Sequence, residues 1–382
     1  MKSRFDEIVG LRIYLAAWVA IDHGLETAGF LNPTNALLRV LLDGGSSVAV
    51  FIIISGFVIT HLIETAHEPY GKYLVRRAFR LYPVYIIACI CGFFTADSWV
   101  RLAAMSPWSH ALGWSEYTQN ILARAQQLHT NPLGHIAAHL FMMHGAIPDQ
   151  ILAFSASTIL PAAWSISLEW QFYLVAPLVL FGLRTRTGVI WTTIASLMLF
   201  IITKNGYLGE HEFRSFIGSA VPYFAVGIAS RLAIGWASGL KLNPLAVSAV
   251  GCAALLMIGK DPTPLLVWTI FYSFLVWQDD GLLSRLFRFL TAARPIVLFG
   301  EASYSLYLIH RPIQILLGIA AITTIGRTQH GMLMVQMAAI AIALLISLGL
   351  YFGVEKPFIR MGKQITGGRS RACMADVASP GP

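Results

Sequence analysis

The chain reads as an all-α, polytopic membrane bundle of about ten transmembrane helices, and three observations carry that reading. Hydrophobic residues fill 56% of its 382 positions and charged residues only 12%. Mean hydropathy is +0.66. Apolar runs long enough to cross about 30 Å of hydrocarbon recur along the whole length.

The spans are expected at 8–28, 47–64, 81–96, 164–183, 187–204, 216–234, 245–259, 264–277, 295–322 and 331–353. Phe5, Asp6 and Glu7 lead directly into the first, and no small-residue cleavage site closes it, so it is expected to remain in the mature protein. Pro222 lies inside the sixth, while Pro262 and Pro264 begin the eighth. An even count places both termini on one side. With the N-terminus in the cytoplasm, eighteen Lys and Arg fall on inner segments and seven on outer ones, which predicts N-in, C-in.

That count requires the modest apolar stretch from His135 to Ile147 not to cross. Asp97 to Ala163 is therefore expected to be one long extracytoplasmic segment between spans 3 and 4, with a short helix on or dipping into the outer face. Residues 1–360 make a single transmembrane domain, and the polar, Gly-rich stretch 361–382 a disordered cytoplasmic tail. In such a chain the net charge of +8 reports topology and contact with anionic lipid rather than nucleic acid. Cys89, Cys91, Cys252 and Cys373 show neither a disulfide framework nor zinc spacing and receive no role.

Arg12 and His23 stand out within the first span. Eleven residues of helix turn through about 1100° and rise roughly 16 Å, so the two side chains share one face. Ionisable groups inside a bilayer face a protein interior, a wet cavity or a ligand, and a pair on one stripe suggests a lined path. Counting depth by helical rise puts His23, His310 and Glu169 together in the outer third. A histidine there can act as general base while the carboxylate holds its tautomer; the plainer alternative is a structural His–Glu bond between helices.

A second basic element, Arg76-Arg77-Ala78-Phe79-Arg80-Leu81-Tyr82-Pro83, sits at the inner mouth of the third span. Arg77 and Arg80 are three apart and point the same way on a helix. Positive-inside flanking explains many such clusters. Arg12, however, lies near the same surface, and guanidinium groups suit phosphate oxygens. Phosphates held there would need an arm of about 15 to 20 Å to reach His23, the length of phosphopantetheine.

These residues carry a resemblance to the membrane-bound acyltransferase-3 family, extending from Ile8 to Pro357. Its anchors are Arg12 with ten residues to His23; Phe51 to Phe57; Arg77-Ala78-Phe79-Arg80 with Tyr82-Pro83; Trp164 to Glu169 with Phe172-Tyr173; Ser303 to His310; and Glu355-Lys356-Pro357. Val9 and Ala49 stand where many members carry Asp. The resemblance implies His23 as the acyl-transfer histidine with Glu169 beside it, and Arg12, Arg77 and Arg80 in acyl-CoA handling. Tyr173, Ser303, Tyr304, Ser305, His310 and Arg311 are expected to line the site.

The implied activity is transfer of an acetyl or other short acyl group from cytoplasmic acetyl-CoA, a co-substrate, to a hydroxyl of an extracytoplasmic polysaccharide or glycolipid at a bacterial inner membrane. Some members carry a fused extracytoplasmic SGNH-type domain, and this chain ends too soon for one, so it is expected to act alone or with a separate partner. A transporter or flippase for a charged glycolipid or polyol is the rival, though no inverted repeat is evident. An acyltransferase acting on a small glycosylated metabolite is a further alternative.

Weaker signals remain. His135, His139 and His144 include an i, i+4 pair, but without a Glu-Xaa-Xaa pattern or a Cys partner they read as interfacial rather than metal-binding, and no metal is expected. Trp99, Trp108, Trp114 and Trp164 read as interfacial anchors, with sugar stacking as a second use. Ser55-Gly56 reads as a close helix approach, since no nucleophile elbow surrounds it.

Overall fold

The computed structural model describes residues 5–32, 35–240, 242–258, 262–277 and 279–367. Among them every regular element is helical and there is no strand. The chain opens with α1 (Asp6–Thr27), a short α2 (Ala36–Leu41), α3 (Gly44–Ala66) and α4 (Tyr70–Met105). Beyond these come α5 (Trp114–Thr130) and α6 (Pro132–Leu140), then α7 (Trp164–Gly182), α8 (Arg186–Lys204), α9 (Ile217–Ala237) and α10 (Pro244–Ile258). The last six are α11 (Thr263–Val276), α12 (Leu282–Ala292), α13 (Arg294–Glu301), α14 (Ser303–Ala321), α15 (Gln329–Leu350) and α16 (Lys356–Ile365).

Helix starts follow from local chemistry. Asp43 accepts from Ser46 N at 3.1 Å to begin α3, Asn131 accepts from Gly134 N at 3.1 Å to begin α6, and Thr328 accepts from Gly331 N at 3.0 Å to begin α15. Each side chain satisfies a backbone N–H that the helix itself leaves open.

Among the described residues seven helices are long and apolar enough to cross a membrane: α1, α3, α4, the Pro161–Gly182 unit containing α7, α8, α9, and the Gln329–Ile365 unit that joins α15 to α16. The expected spans at 245–259 and 264–277 are apolar but shorter, at 15 residues in α10 and 14 in α11. The single helix expected over 295–322 is corrected to two, α13 and α14, broken at Ala302. At the break the Ser303 hydroxyl donates to the Gly300 carbonyl at 2.7 Å. Gly300 is also pressed so closely on the Val9 backbone that a Cβ there would collide with the carbonyl.

The 97–163 region is more structured than a surface helix. α4 runs on past Asp97 to Met105, and α6, with nine residues, is far too short to span. Trp99, Trp108 and Trp114 are not interfacial anchors; they are buried, packing with Ala28, Ile315 and Met332 over the ends of α1, α14 and α15. The histidines expected at an interface are buried as well. His139 and His144 stack with ring centroids 4.0 Å apart, and His144 Nε2 donates to Ala163 O at 3.1 Å. Residues 361–365, expected in the tail, belong to α16, where Gly362 packs against Phe79 of α4; positions 368–382 and Cys373 lie outside the described residues.

Helix α1 lies at the centre, packed on α3, α13, α14 and α15. Gln314 of α14 donates to Ala20 O at 2.7 Å, and Gln336 of α15 donates to Gln314 O at 3.3 Å, so buried amides tie the three helices together. Gly56 does serve helix packing: it faces Gly227 of α9 so closely that a Cβ on either would strike the opposing backbone.

Candidate active site

Five helices, α1, α3, α4, α7 and α14, each contribute to two cavities, and Tyr307 is the residue common to both. The first, of about 320 Å³, holds Arg12, Arg77 and Arg80. The second, of about 300 Å³, holds His23. Sequence spacing explains the order: Arg12 and His23 share a face of α1 about 16 Å apart, so one helix delivers a residue to each.

In the arginine cavity, Arg77 and Arg80 project from α4 at i, i+3 toward Arg12. Among the described residues none of these three guanidinium groups has a hydrogen-bond or ion-pair partner within 4 Å; Arg77 lies over the Tyr173 ring with its Cζ 5.9 Å from the centroid. Arg80 and Arg12 sense the charges of Glu355 and Glu169 at longer range. Three guanidinium groups with open donors in one cavity make a receptor for a polyanion. Ser303 and Tyr304 line it, the Tyr304 hydroxyl donating to Leu81 O at 2.8 Å. Ser305 does not; it turns away to donate to Glu355 Oε2 at 3.0 Å.

Glu169 belongs to this cavity too, which corrects the pairing expected with His23. Its hydrogen-bond donor is the Tyr173 hydroxyl, whereas His23 is bonded to His310 and shares its cavity with Asp22, Glu26, Arg124 and Arg311. Helical rise measures depth but not facing. Ser165, Glu169 and Tyr173 form a stripe spaced by four on α7, and that stripe faces the arginines, leaving only Trp164 of this helix in the histidine cavity.

His23 is held from behind by His310, Nδ1 to Nε2 at 2.9 Å, the rings inclined by 20°. His310 Nδ1 lies 3.3 Å from the Leu306 carbonyl. A carbonyl only accepts, so this network assigns the His310 proton to Nδ1 and leaves its Nε2 as acceptor. His23 must then donate from Nδ1, and its Nε2 keeps a free lone pair. His310 was expected to line the site; it lines neither cavity but is fully buried behind His23. Arg311 lines the histidine cavity as a brace. It donates to His23 O at 2.8 Å, Thr27 Oγ1 at 2.9 Å and Tyr117 OH at 2.6 Å, and its Cζ sits 4.5 Å from the Trp99 ring centroid.

Three acidic residues escaped the sequence reading as site groups. Asp22 and Glu26 flank His23 in its cavity; the pattern Asp22-His23-Xaa-Xaa-Glu26 inside an apolar run was the available signal. Glu355 is swung toward Ser305 by a π-helical turn over Tyr351–Glu355, placed where Pro357 prevents α15 from continuing regularly. No group of three or more His, Cys, Asp or Glu among the described residues is placed to hold a metal ion.

No curated protein and no solved structure matches the chain. A family described as an acyltransferase domain matches it over residues 5–352, taking in both cavities and every helix that lines them. On that match the chain belongs to the acyltransferase-3 family, and its bundle of apolar helices is that of a multi-pass membrane acyltransferase.

Proposed function

We propose that the protein is an O-acyltransferase that takes an acetyl or other short acyl group from cytoplasmic acyl-CoA and delivers it to a hydroxyl of a polysaccharide or glycolipid on the opposite face of a bacterial inner membrane. The observation that carries this reading is the pair of cavities meeting at Tyr307, one with three arginines and the other with a histidine, whose guanidinium groups and Nε2 have no partner among the described residues.

In this reading the arginine cavity opens toward the cytoplasm. Arg12, Arg77 and Arg80 bind the donor phosphates, and the thioester arm extends past Tyr307 over the roughly 16 Å between Arg12 and His23. His23 Nε2 removes the proton of an acceptor hydroxyl, and the oxygen attacks the thioester carbonyl. A C–O bond forms, the C–S bond breaks, and the proton passes from His23 to the departing thiolate. Direct attack of His23 on the thioester, giving an acyl-imidazole that the acceptor then opens, uses the same geometry.

The test is acetyl-CoA consumption by purified protein in lipid nanodiscs, with and without saccharide acceptors, together with a comparison of surface polysaccharide acetylation in cells with and without the gene. CoA release that depends on a saccharide supports the reading. Passage of an intact glycolipid without CoA release would replace it with transport.

A further inference from the structure

We propose that α12 and α16 form a binding surface for anionic phospholipid head groups, beside the two helices that carry Arg12, Arg77 and Arg80. The surface lies outside both cavities, and the proposal does not depend on the acyl-transfer reading.

At 100° per residue each helix divides into three sectors. On α12 the packed sector holds the buried Ser284 and Thr291; Gly10 of α1 lies against the Thr291 carbonyl, and the Tyr14 hydroxyl donates to Leu290 O at 2.8 Å. Leu282, Leu286 and Phe289, at i, i+4 and i+7, form an exposed apolar stripe, and Arg285 and Arg288 occupy the third sector. On α16 the packed sector is Gly362 against Phe79 of α4, with Thr366 Oγ1 accepting from Arg76 Nε at 2.7 Å. Phe358, Met361 and Ile365 form its exposed stripe, with Arg360 and Lys363 on the cationic side.

With 11 and 10 residues these helices are far too short to cross about 30 Å of hydrocarbon. A bare Leu and Phe stripe beside a cationic sector suits a helix lying in the interface, its apolar sector among acyl chains and its cations among phosphates. Charge selects the lipid. Residues 281–295 and 356–367 hold three Lys or Arg each and no Asp or Glu. Among the described residues Arg285, Arg360 and Lys363 have no ion-pair partner within 4 Å, and Arg288 reaches only the Asp279 carbonyl, at 3.3 Å. The Asp279 carboxylate is itself occupied by the Ser284 hydroxyl at 2.5 Å and the Gly281 N–H at 3.1 Å. Cations left open toward an interface attract anionic head groups. The contact also bears on the first cavity: Gly10 and Tyr14 stand on either side of Arg12, and Arg76 and Phe79 adjoin Arg77 and Arg80. A leaflet that seats α12 and α16 therefore braces the helices from which all three guanidinium groups project.

The experiment uses the full chain in nanodiscs, with Cys89, Cys91, Cys252 and Cys373 replaced by Ser and a bimane fluorophore attached through Leu286→Cys or Ile365→Cys. Quenching by lipids that carry a nitroxide high on the acyl chain is compared for phosphatidylglycerol and phosphatidylcholine at equal mole fraction. Both positions should be quenched by both lipids, with phosphatidylglycerol about fivefold more effective at low salt. Salt at about 1 M should erase that preference. Arg285→Gln with Arg288→Gln should remove it at position 286 and leave it at 365, and Arg360→Gln with Lys363→Gln should do the reverse. Quenching by phosphatidylcholine should persist in both pairs, showing that the helices remain seated and the chain folded. Quenching by neither lipid would set these faces against water or protein, and equal quenching by the two would leave no anionic-lipid site. A preference that survives the Gln pairs would take these four cations out of it. Each of these three results overturns the proposal.

Discussion

His23 Nδ1 and His310 Nε2 stand 2.9 Å apart across α1 and α14, and the Leu306 carbonyl behind His310 sets the direction of the proton between them. In the proposed reaction His310 would therefore do the orienting work that depth counting assigned to Glu169. A neutral imidazole orients another without adding a charge to the protein interior, which a buried carboxylate would do.

Replacing His23 by Ala should lower transfer by about 10³-fold or more while leaving acyl-CoA binding intact, because the lost group is chemical and lies in the other cavity. His310→Ala should lower kcat by about 10²-fold with little change in KM for the donor, since the His23 tautomer is no longer fixed. His310→Gln should recover part of the loss, its amide oxygen accepting from His23 Nδ1. Wild-type turnover in a folded His310→Ala protein would remove the positioning role.

Arg77→Lys and Arg80→Lys keep the positive charge but lose the planar fork, so donor affinity should fall by about tenfold in each while insertion stays normal. Equilibrium binding of CoA to the purified variants decides it. Unchanged affinity in both would make the cluster a topology signal only.

Glu169 and Glu355 both act on the arginines at range, so Glu169→Gln and Glu355→Gln should change KM for acyl-CoA and leave KM for the acceptor alone. Glu355→Gln still accepts from Ser305, which separates charge from packing. An acceptor-side effect of Glu169→Gln would restore its pairing with His23.

Much of this was legible in the sequence because helical periodicity and apolar length are local properties. Arg12 and His23 share a helix, so their spacing alone placed them on one stripe, and Arg77 and Arg80 followed the same rule. Glu169, His310 and Glu355 depend on how one helix is rotated against another, which spacing within a single helix does not encode. The break at Ala302 comes where Gly300 lies against the Val9 backbone of another helix, and the buried Trp99, Trp108 and Trp114 depend on a loop folding back over the bundle. In each case tertiary packing decided the outcome, and side-chain type alone pointed to an interface.

The buried histidines of α6 and the segment that follows it predict a pH-dependent fold. Burial lowers His144 to about 4, and His139, stacked on it, is also lowered by burial; the Tyr85 hydroxyl and the Ala163 carbonyl face the pair. The unfolded chain, with ordinary histidines near 6.5, takes up protons first as pH falls. Stability is therefore full above about pH 6.5 and is lost progressively toward pH 4, by up to about 3 kcal/mol for His144 alone. Thermal unfolding in detergent between pH 7.5 and 4.5 should show this decline, and His144→Gln should flatten it. A wild-type midpoint independent of pH across that window would contradict the assignment.

On the proposed acyl-transfer reading, Tyr307 should decide which acyl groups reach His23. It lines both cavities, its hydroxyl lies 2.8 Å from Ser165 Oγ, and its ring meets Phe51 edge-on at 5.9 Å. The thioester arm has to pass this point, where a few ångströms of added width admit a longer chain. Tyr307→Ala should raise turnover of butyryl-CoA relative to acetyl-CoA by about tenfold, the usual worth of one or two methylenes in a tight passage. Tyr307→Phe removes the hydroxyl bond but keeps the ring, so its chain-length preference should match the wild type, which distinguishes width from hydrogen bonding. Competition between the two donors, read from the acyl group found on the acceptor, measures the ratio directly. An unchanged ratio in Tyr307→Ala would place the narrow point elsewhere on the path, and the two cavities would then communicate by a route that avoids α14.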